Sequence, residues 1–293
     1  MQMVSIFLTL VLLSASAWSQ SVPTDPTNPG SPTYDYEVTE VKISTLRRKS
    51  VLFLPNRPEG ETSPLVVFGH GQAAGVKAYD ATLKHLAGKG IAALFVKYDS
   101  GFFDRKWRRM ADNFNEITQD VLTTYSQNLN PNQVVFAGHS KGAYVALMAA
   151  GAPSAGDIHS LVLFAPAGYD QDYLTEIAPN VPVTIIWGEK DSIIDYEDQQ
   201  EIFENLTVDY KQFITVKDYP DDEADHYFIL NKKVFGFGEN GISNYHYYGA
   251  FKWLTSAALD LTTDAKLTNP YLYGDLAGDS GDPNVQHGVV RAP

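Results

Sequence analysis

Cysteine is absent from all 293 residues. That excludes disulfides, a thiolate nucleophile, thiolate-held zinc and iron–sulfur clusters in one step. A chain of this length buries about three quarters of its unfolded surface, so its core can hold it without cross-links. Long apolar runs are scarce as well. The longest opens the chain, and no later stretch reaches the ~18 residues that a membrane-spanning helix needs. Positive charge is in short supply: 22 Lys+Arg against 35 Asp+Glu leave a net charge of −13. An acidic chain lacks the basic face that nucleic acid or anionic lipid would require, so neither is an expected partner. Apolar residues still make up 44% of the chain, which is too many for a disordered polypeptide.

The opening run, Val4 to Leu13, is ten residues long, and Ser14-Ala15-Ser16-Ala17-Trp18-Ser19 follows it. Ten residues are too few for a permanent transmembrane helix. Small residues before two candidate cleavage points, after Ala17 and after Ser19, predict a signal peptide over residues 1–19 and a secreted chain, extracellular or periplasmic. The absence of Lys and Arg ahead of the run departs from that pattern. Residues 20–35, rich in Pro, Thr and Ser, read as a mobile leader. Residues 36–262 read as one globular domain, and 263–293 as a polar tail.

Within 36–262 short apolar runs alternate with segments of helical spacing. Strands are expected over 37–44, 49–55, 65–68, 91–96, 134–137, 161–164, 183–187 and 213–219. Helices are expected over 79–86, 114–125, 143–150, 202–206 and 247–261. The first two strands read as an antiparallel pair. The alternation after them predicts an α/β fold, with a mostly parallel central sheet covered by helices on both faces.

The sharpest motif is Gly138-His139-Ser140-Lys141-Gly142, set between an expected strand and an expected helix. A serine at such a turn needs a strained backbone, and glycines two residues away on either side let strand and helix approach without Cβ clashes. The hydroxyl then stands at a helix N-terminus, where the Lys141 N–H is free to meet a developing oxyanion. A serine nucleophile also needs a base. Of the seven histidines, His226 follows the strand ending at 219 in a loop, where a parallel sheet presents its functional side chains. His246, at the start of the last helix, is the rival. The orienting acid is read as Asp191, just past the strand ending at 187, with Asp195 as its rival. The chain order Ser140, Asp191, His226 differs from that of the two common serine protease types.

With these motifs the region from Tyr36 to Leu261 resembles the α/β-hydrolase superfamily. Within it, the chain looks like the dienelactone hydrolase, chlorophyllase and cutinase-like group, which includes polyester hydrolases. The residues that carry the likeness are Pro64 to Gly71, the Gly-His-Ser-Lys-Gly turn, Gly188-Glu189-Lys190-Asp191 and Asp225-His226-Tyr227-Phe228. Lys141 stands where Met, Gln or Arg is commoner, and the disulfide of many secreted relatives is missing. The resemblance implies that Gln72, after His70-Gly71, supplies the second oxyanion N–H beside that of Lys141. It also implies an ester hydrolase working through an acyl-enzyme, with no cofactor or metal. The connection over 165–180 is short, so little or no lid is expected.

Other features carry less. Phe102, Phe103 and Trp107, past the fourth strand, and Tyr169, past the sixth, are candidate walls of a substrate pocket. Arg105, Lys106, Arg108 and Arg109 read as a solvated helix start. The acids of 221–225 and 275–282 lack the spacing of a calcium loop, and Asn205-Leu206-Thr207 is a glycosylation sequon. The expected activity is hydrolysis of small or polymeric esters, bulky or aromatic ones included. A peptidase or amidase with the same three residues, and a non-catalytic binding protein on the same scaffold, are the alternatives.

Overall fold

Leu65, Val66, Val67 and Phe68 offer no polar face to water, and all four are buried. Such a strand is stable only when covered on both sides. In the computed structural model, Leu65 and Val67 pack into one apolar cluster and Val66 and Phe68 into another, on opposite faces of a sheet. The structure describes residues 22–24, 28–46, 48–99, 101, 104–152, 156–168, 177, 180–218, 223–238, 240–259 and 285–291. The expected signal peptide lies outside them.

The strands are β1 (Val38–Ile43), β2 (Ser50–Pro55), β3 (Ser63–Gly69), β4 (Ala92–Val96), β5 (Leu129–His139), β6 (Ser160–Phe164), β7 (Val183–Gly188), β8 (Tyr210–Val216) and β9 (Val285–Arg291). They form one sheet in the order β1-β2-β4-β3-β5-β6-β7-β8-β9. Strands β4 through β8 of that order are mutually parallel. The β1–β2, β2–β4 and β8–β9 pairs are antiparallel. The helices are α1 (Asp80–Gly88), α2 (Trp107–Thr124), α3 (Lys141–Gly151), α4 (Tyr196–Asn205) and α5 (Phe251–Leu259), the last preceded by a π turn, His246–Ala250. Helices α2, α3 and α4 cover one face, through residues such as Phe114, Val145 and Ile202. Helices α1 and α5 cover the other, through Leu83, Leu86 and Trp253. No helix among the described residues is long and apolar enough to cross a membrane.

Three segments differ from the sequence reading. Helix α2 begins at Trp107, two turns before the expected start, because the charged residues 105–109 hide the apolar spacing of Met110, Phe114, Ile117 and Val121. The second half of the expected mobile leader is seated on α1. There Asp35 and Tyr36 donate backbone N–H bonds to Gly88 O at 3.1 and 3.2 Å, and His85 Nε2 bonds Pro29 O at 2.8 Å. The Tyr34 ring also meets His85 edge-on at 5.6 Å, and these contacts follow no strand or helix period that the sequence could display. The polar tail, where no strand was expected, returns as β9 to pair with β8 from Tyr210↔Arg291 to Val216↔Val285.

The order reverses about β3: the chain passes from β3 to β4 on one side, then crosses to β5 on the other. The loops after β3 and β5 therefore diverge and leave a crevice at the carboxyl ends of the strands, where ligands bind in open α/β sheets.

Candidate active site

Strand β5 ends on His139 and α3 starts on Lys141, so Ser140 makes the turn alone, with φ 54° and ψ −125°. A non-glycine residue there is strained by about 1–3 kcal/mol and persists only where its surroundings enforce it. A Cβ on Gly138 would lie 2.5 Å from Gly142 O, and one on Gly142 would lie 2.2 Å from the Gly69 carbonyl carbon. Strands β3 and β5 and helix α3 thus meet backbone to backbone, which no larger residue permits. The Ser140 N–H donates to Phe164 O at 2.8 Å, pinning the turn to the end of β6.

The acid and base loops are fitted to each other in the same way. A Cβ on Gly188, the last residue of β7, would lie 2.1 Å from Ala224 O, and the Lys190 N–H donates to that oxygen at 3.0 Å. Asp191 Oδ1 accepts the Ile193 and Ile194 N–H groups, both at 2.9 Å. Its Oδ2 lies 2.7 Å from His226 Nδ1. A carboxylate only accepts, so Nδ1 carries the hydrogen and Nε2 the lone pair. Both side chains are buried.

Ser140 and His226 border one cavity of about 280 Å³. Gly71, Gln72 and Ala74 of the loop after β3 form part of its wall, with His139, Ile193, Tyr227, Leu230, Val234, Phe235 and Phe237. Lys141 opens α3, so its N–H has no acceptor within the helix. The Lys141 side chain turns away: Nζ donates to Asp104 O at 2.6 Å and lies 3.6 Å from Asp99 Oδ2. Burial lowers its pKa. Whatever Lys141 gives the cavity comes from its main chain.

A buried chain of hydrogen bonds joins the three loops. The Gly71 N–H donates to Tyr79 Oη at 2.9 Å, and Tyr79 Oη lies 2.9 Å from His139 Nδ1. His139 Nε2 lies 2.8 Å from His226 O. A carbonyl can only accept, so Nε2 carries the hydrogen and Nδ1 accepts that of Tyr79. Burial, then the nearby His226, holds His139 well below its ordinary pKa and keeps this tautomer neutral. His70 is also buried, with Nδ1 2.8 Å from Gly71 O, and its pKa is pushed down to about 4 by burial and by the charge of Lys97.

The rivals lie elsewhere. Asp195 is exposed at the start of α4, and His246 opens the π turn with Nδ1 accepting the Ser243 N–H at 3.1 Å. Trp107 packs edge-on against Tyr144 at 5.3 Å and is not among the described residues that line the cavity. A large ring beside the small residues of α3 fills space in the core instead. Phe102, Phe103 and Tyr169 lie outside the described residues. Arg109 pairs with Asp104 at 2.6 Å as α2 begins. Among the described residues, no group of three or more His, Asp or Glu is gathered as a metal would require. Ile193, Tyr227 and the Val234–Phe237 turn went unread as cavity wall. Their signal was proximity in the chain to Asp191 and His226.

Residues 60–180 match the family described as serine aminopeptidase, S33. The match takes in Gln72, Ser140 and Lys141 and stops before Asp191 and His226. No curated protein matches the chain.

Proposed function

The chain is a member of the α/β-hydrolase superfamily, and from that premise we propose that it is a secreted serine hydrolase that cleaves carboxylic esters. Ser140 Oγ attacks the ester carbonyl while His226 Nε2 takes its proton. Asp191 keeps the imidazole in register and stabilises its protonated form. The oxyanion is held by the Lys141 and Gln72 N–H groups, each such donor contributing about 3–4 kcal/mol in the transition state. The imidazolium returns its proton to the leaving alcohol, and an acyl-enzyme remains. Water, deprotonated by the same imidazole, then releases the carboxylic acid. Apolar, bulky or aromatic esters, polymeric ones included, are the substrate class, and the mature chain begins after Ala17 or Ser19.

One observation supports this reading above the others: the 2.7 Å contact of His226 with Asp191 borders the same cavity as a serine held at φ 54°. The second reading, an aminopeptidase, is favoured by the description of the matched family. It calls for a carboxylate to pair with the substrate's ammonium group. The described residues lining the cavity include neither Asp nor Glu, and most are apolar. The test is labelling with a fluorophosphonate, followed by comparison of p-nitrophenyl esters with aminoacyl p-nitroanilides. Wild type is expected to label and to turn over the esters, and Ser140→Ala to do neither. Faster cleavage of the anilides would make the aminopeptidase reading the correct one, and absence of labelling would leave a binding protein. Mass spectrometry of the secreted chain reads its first residue.

A further inference from the structure

Just past β4, two residues apart, Lys97 and Asp99 meet through their side chains: Lys97 Nζ donates to Asp99 Oδ1 at 2.6 Å. The Asp99 carboxylate is buried, and its other oxygen, Oδ2, lies 3.6 Å from Lys141 Nζ. One carboxylate thus faces two ammonium groups. Neither Lys97 nor Asp99 is among the described residues that line the cavity.

The pair also faces His70. That ring is stacked on Phe95 and on Tyr98, with centroids 5.3 and 4.6 Å apart, so its plane is fixed. Its Nδ1 lies 2.8 Å from Gly71 O, and its Nε2 lies 3.7 Å from Asp99 Oδ1 and 3.4 Å from Lys97 Nζ. A neutral imidazole has one hydrogen, and two acceptors compete for it. Gly71 O calls for it on Nδ1, the Asp99 carboxylate for it on Nε2, and the charged acceptor is the stronger. The Lys97 ammonium decides the contest. It has hydrogens for both Asp99 Oδ1 and the Nε2 lone pair, so the imidazole hydrogen stays on Nδ1 and bonds Gly71 O.

Gly71 O and the Gln72 N–H belong to one planar trans peptide and point in opposite directions. Whatever grips the oxygen therefore aims the N–H. The Ala74 N–H holds the same oxygen at 3.1 Å, so the turn sets the peptide and the imidazole refines it. We propose that Lys97 is a positioning residue for the oxyanion hole: by keeping the His70 hydrogen on Nδ1 it aims the Gln72 N–H, while its partner Asp99 anchors Lys141, the source of the second donor. This rests on the serine hydrolase reading above. No covalent step is added.

The experiment compares the full chain with Lys97→Met, which removes the ammonium and keeps most of the stem, and Lys97→Arg, which keeps a cation. Long-range nitrogen NMR of chains carrying 15N-histidine, at about pH 8 where imidazole is neutral, reads which nitrogen of His70 bears the hydrogen. The rate of fluorophosphonate labelling, and kcat and KM for a p-nitrophenyl ester, read the oxyanion hole. Wild type is expected to carry the hydrogen on Nδ1. In Lys97→Met it is expected on Nε2, with labelling and kcat about tenfold slower and KM held, short of the ~10²–10³-fold cost of losing a donor outright. Lys97→Arg is expected to recover most of both. A hydrogen on Nε2 in wild type overturns the proposal. So do unchanged rates in Lys97→Met, and so do slower rates with the hydrogen still on Nδ1. A lowered melting temperature with rates unchanged makes Lys97 a structural residue only. A wild type that labels but cleaves no ester overturns the ester reading alone, and the labelling rates then decide the proposal. A wild type that does not label overturns both.

Discussion

The floor and the rim of the cavity are built on opposite terms. On the floor, Gly69, Gly138 and Gly142 touch through their backbones, and Tyr79, His139 and the His226 carbonyl form a buried chain with hydrogens and lone pairs matched along its length. At the rim, Ile193, Phe235 and Phe237 are more than half exposed. The contrast teaches where each task sits. Chemistry needs groups held to fractions of an ångström, so it rests on parts that cannot move singly. The rim carries no such demand, and its apolar side chains are open to solvent.

If the floor works through orientation, the largest loss should come from disturbing it with the least change in shape. Asp191→Asn keeps the volume of the side chain but favours the wrong imidazole tautomer. Turnover is expected to fall about 10⁴-fold with the fold intact. A loss of tenfold or less, measured on an ester that wild type cleaves, would remove Asp191 from the relay.

The next expectation sharpens the contrast through pH. Burial pushes His70, His85 and His246 down to about 4, about 3 and about 4, the Lys97 charge adding to the effect at His70. The unfolded chain takes up these protons near pH 6.5, and the folded chain does so only at the lower values. Stability is therefore indifferent to these groups above about pH 6.5. It declines as pH falls below that, by about 1.4 kcal/mol per pH unit for each, and the decline from them ends near 4 for His70 and His246 and near 3 for His85. Calorimetric melting across this range reads the loss directly, and a melting temperature that stays level from neutral pH down to about 4.5 contradicts it.

The smallest expected effect tests the tie between the loops. Tyr79→Phe leaves the Gly71 N–H and His139 Nδ1 without their shared partner. We expect kcat to fall about tenfold with KM held, from a floor loosened by one buried hydrogen bond at about 1–2 kcal/mol. A lower melting temperature with kcat unchanged would confine Tyr79 to a structural role.

Much of the floor was legible in the sequence, because local rules dictate it. A serine between glycines, after an apolar run and before small residues, already specifies the turn at Ser140, and the apolar runs of β3, β4, β6 and β7 specify buried strands. What pairs across distance was hidden. Tyr79 meets His139 only after folding brings them together, β9 is a short run in a polar tail until β8 receives it, and the seat of residues 28–36 on α1 combines backbone bonds with the Tyr34 ring set against His85, a set with no regular period. Of the aromatic residues singled out as pocket walls, Phe102, Phe103 and Tyr169 lie outside the described residues, and Trp107 packs on Tyr144 and does not line the cavity, which only the fold reveals.

The reversal of strand order about β3 has a consequence for descent. The three walls of the cavity arise from separate connections, after β3, β7 and β8, and the Val234–Phe237 hairpin lies downstream of His226 in the last of them. A lineage can rewrite that finger, lengthening it or exchanging its aromatic tip, without altering a residue of the sheet or of the relay. The wall of the cavity is thereby free to drift from one descendant to the next while Ser140, Asp191 and His226 are inherited unchanged.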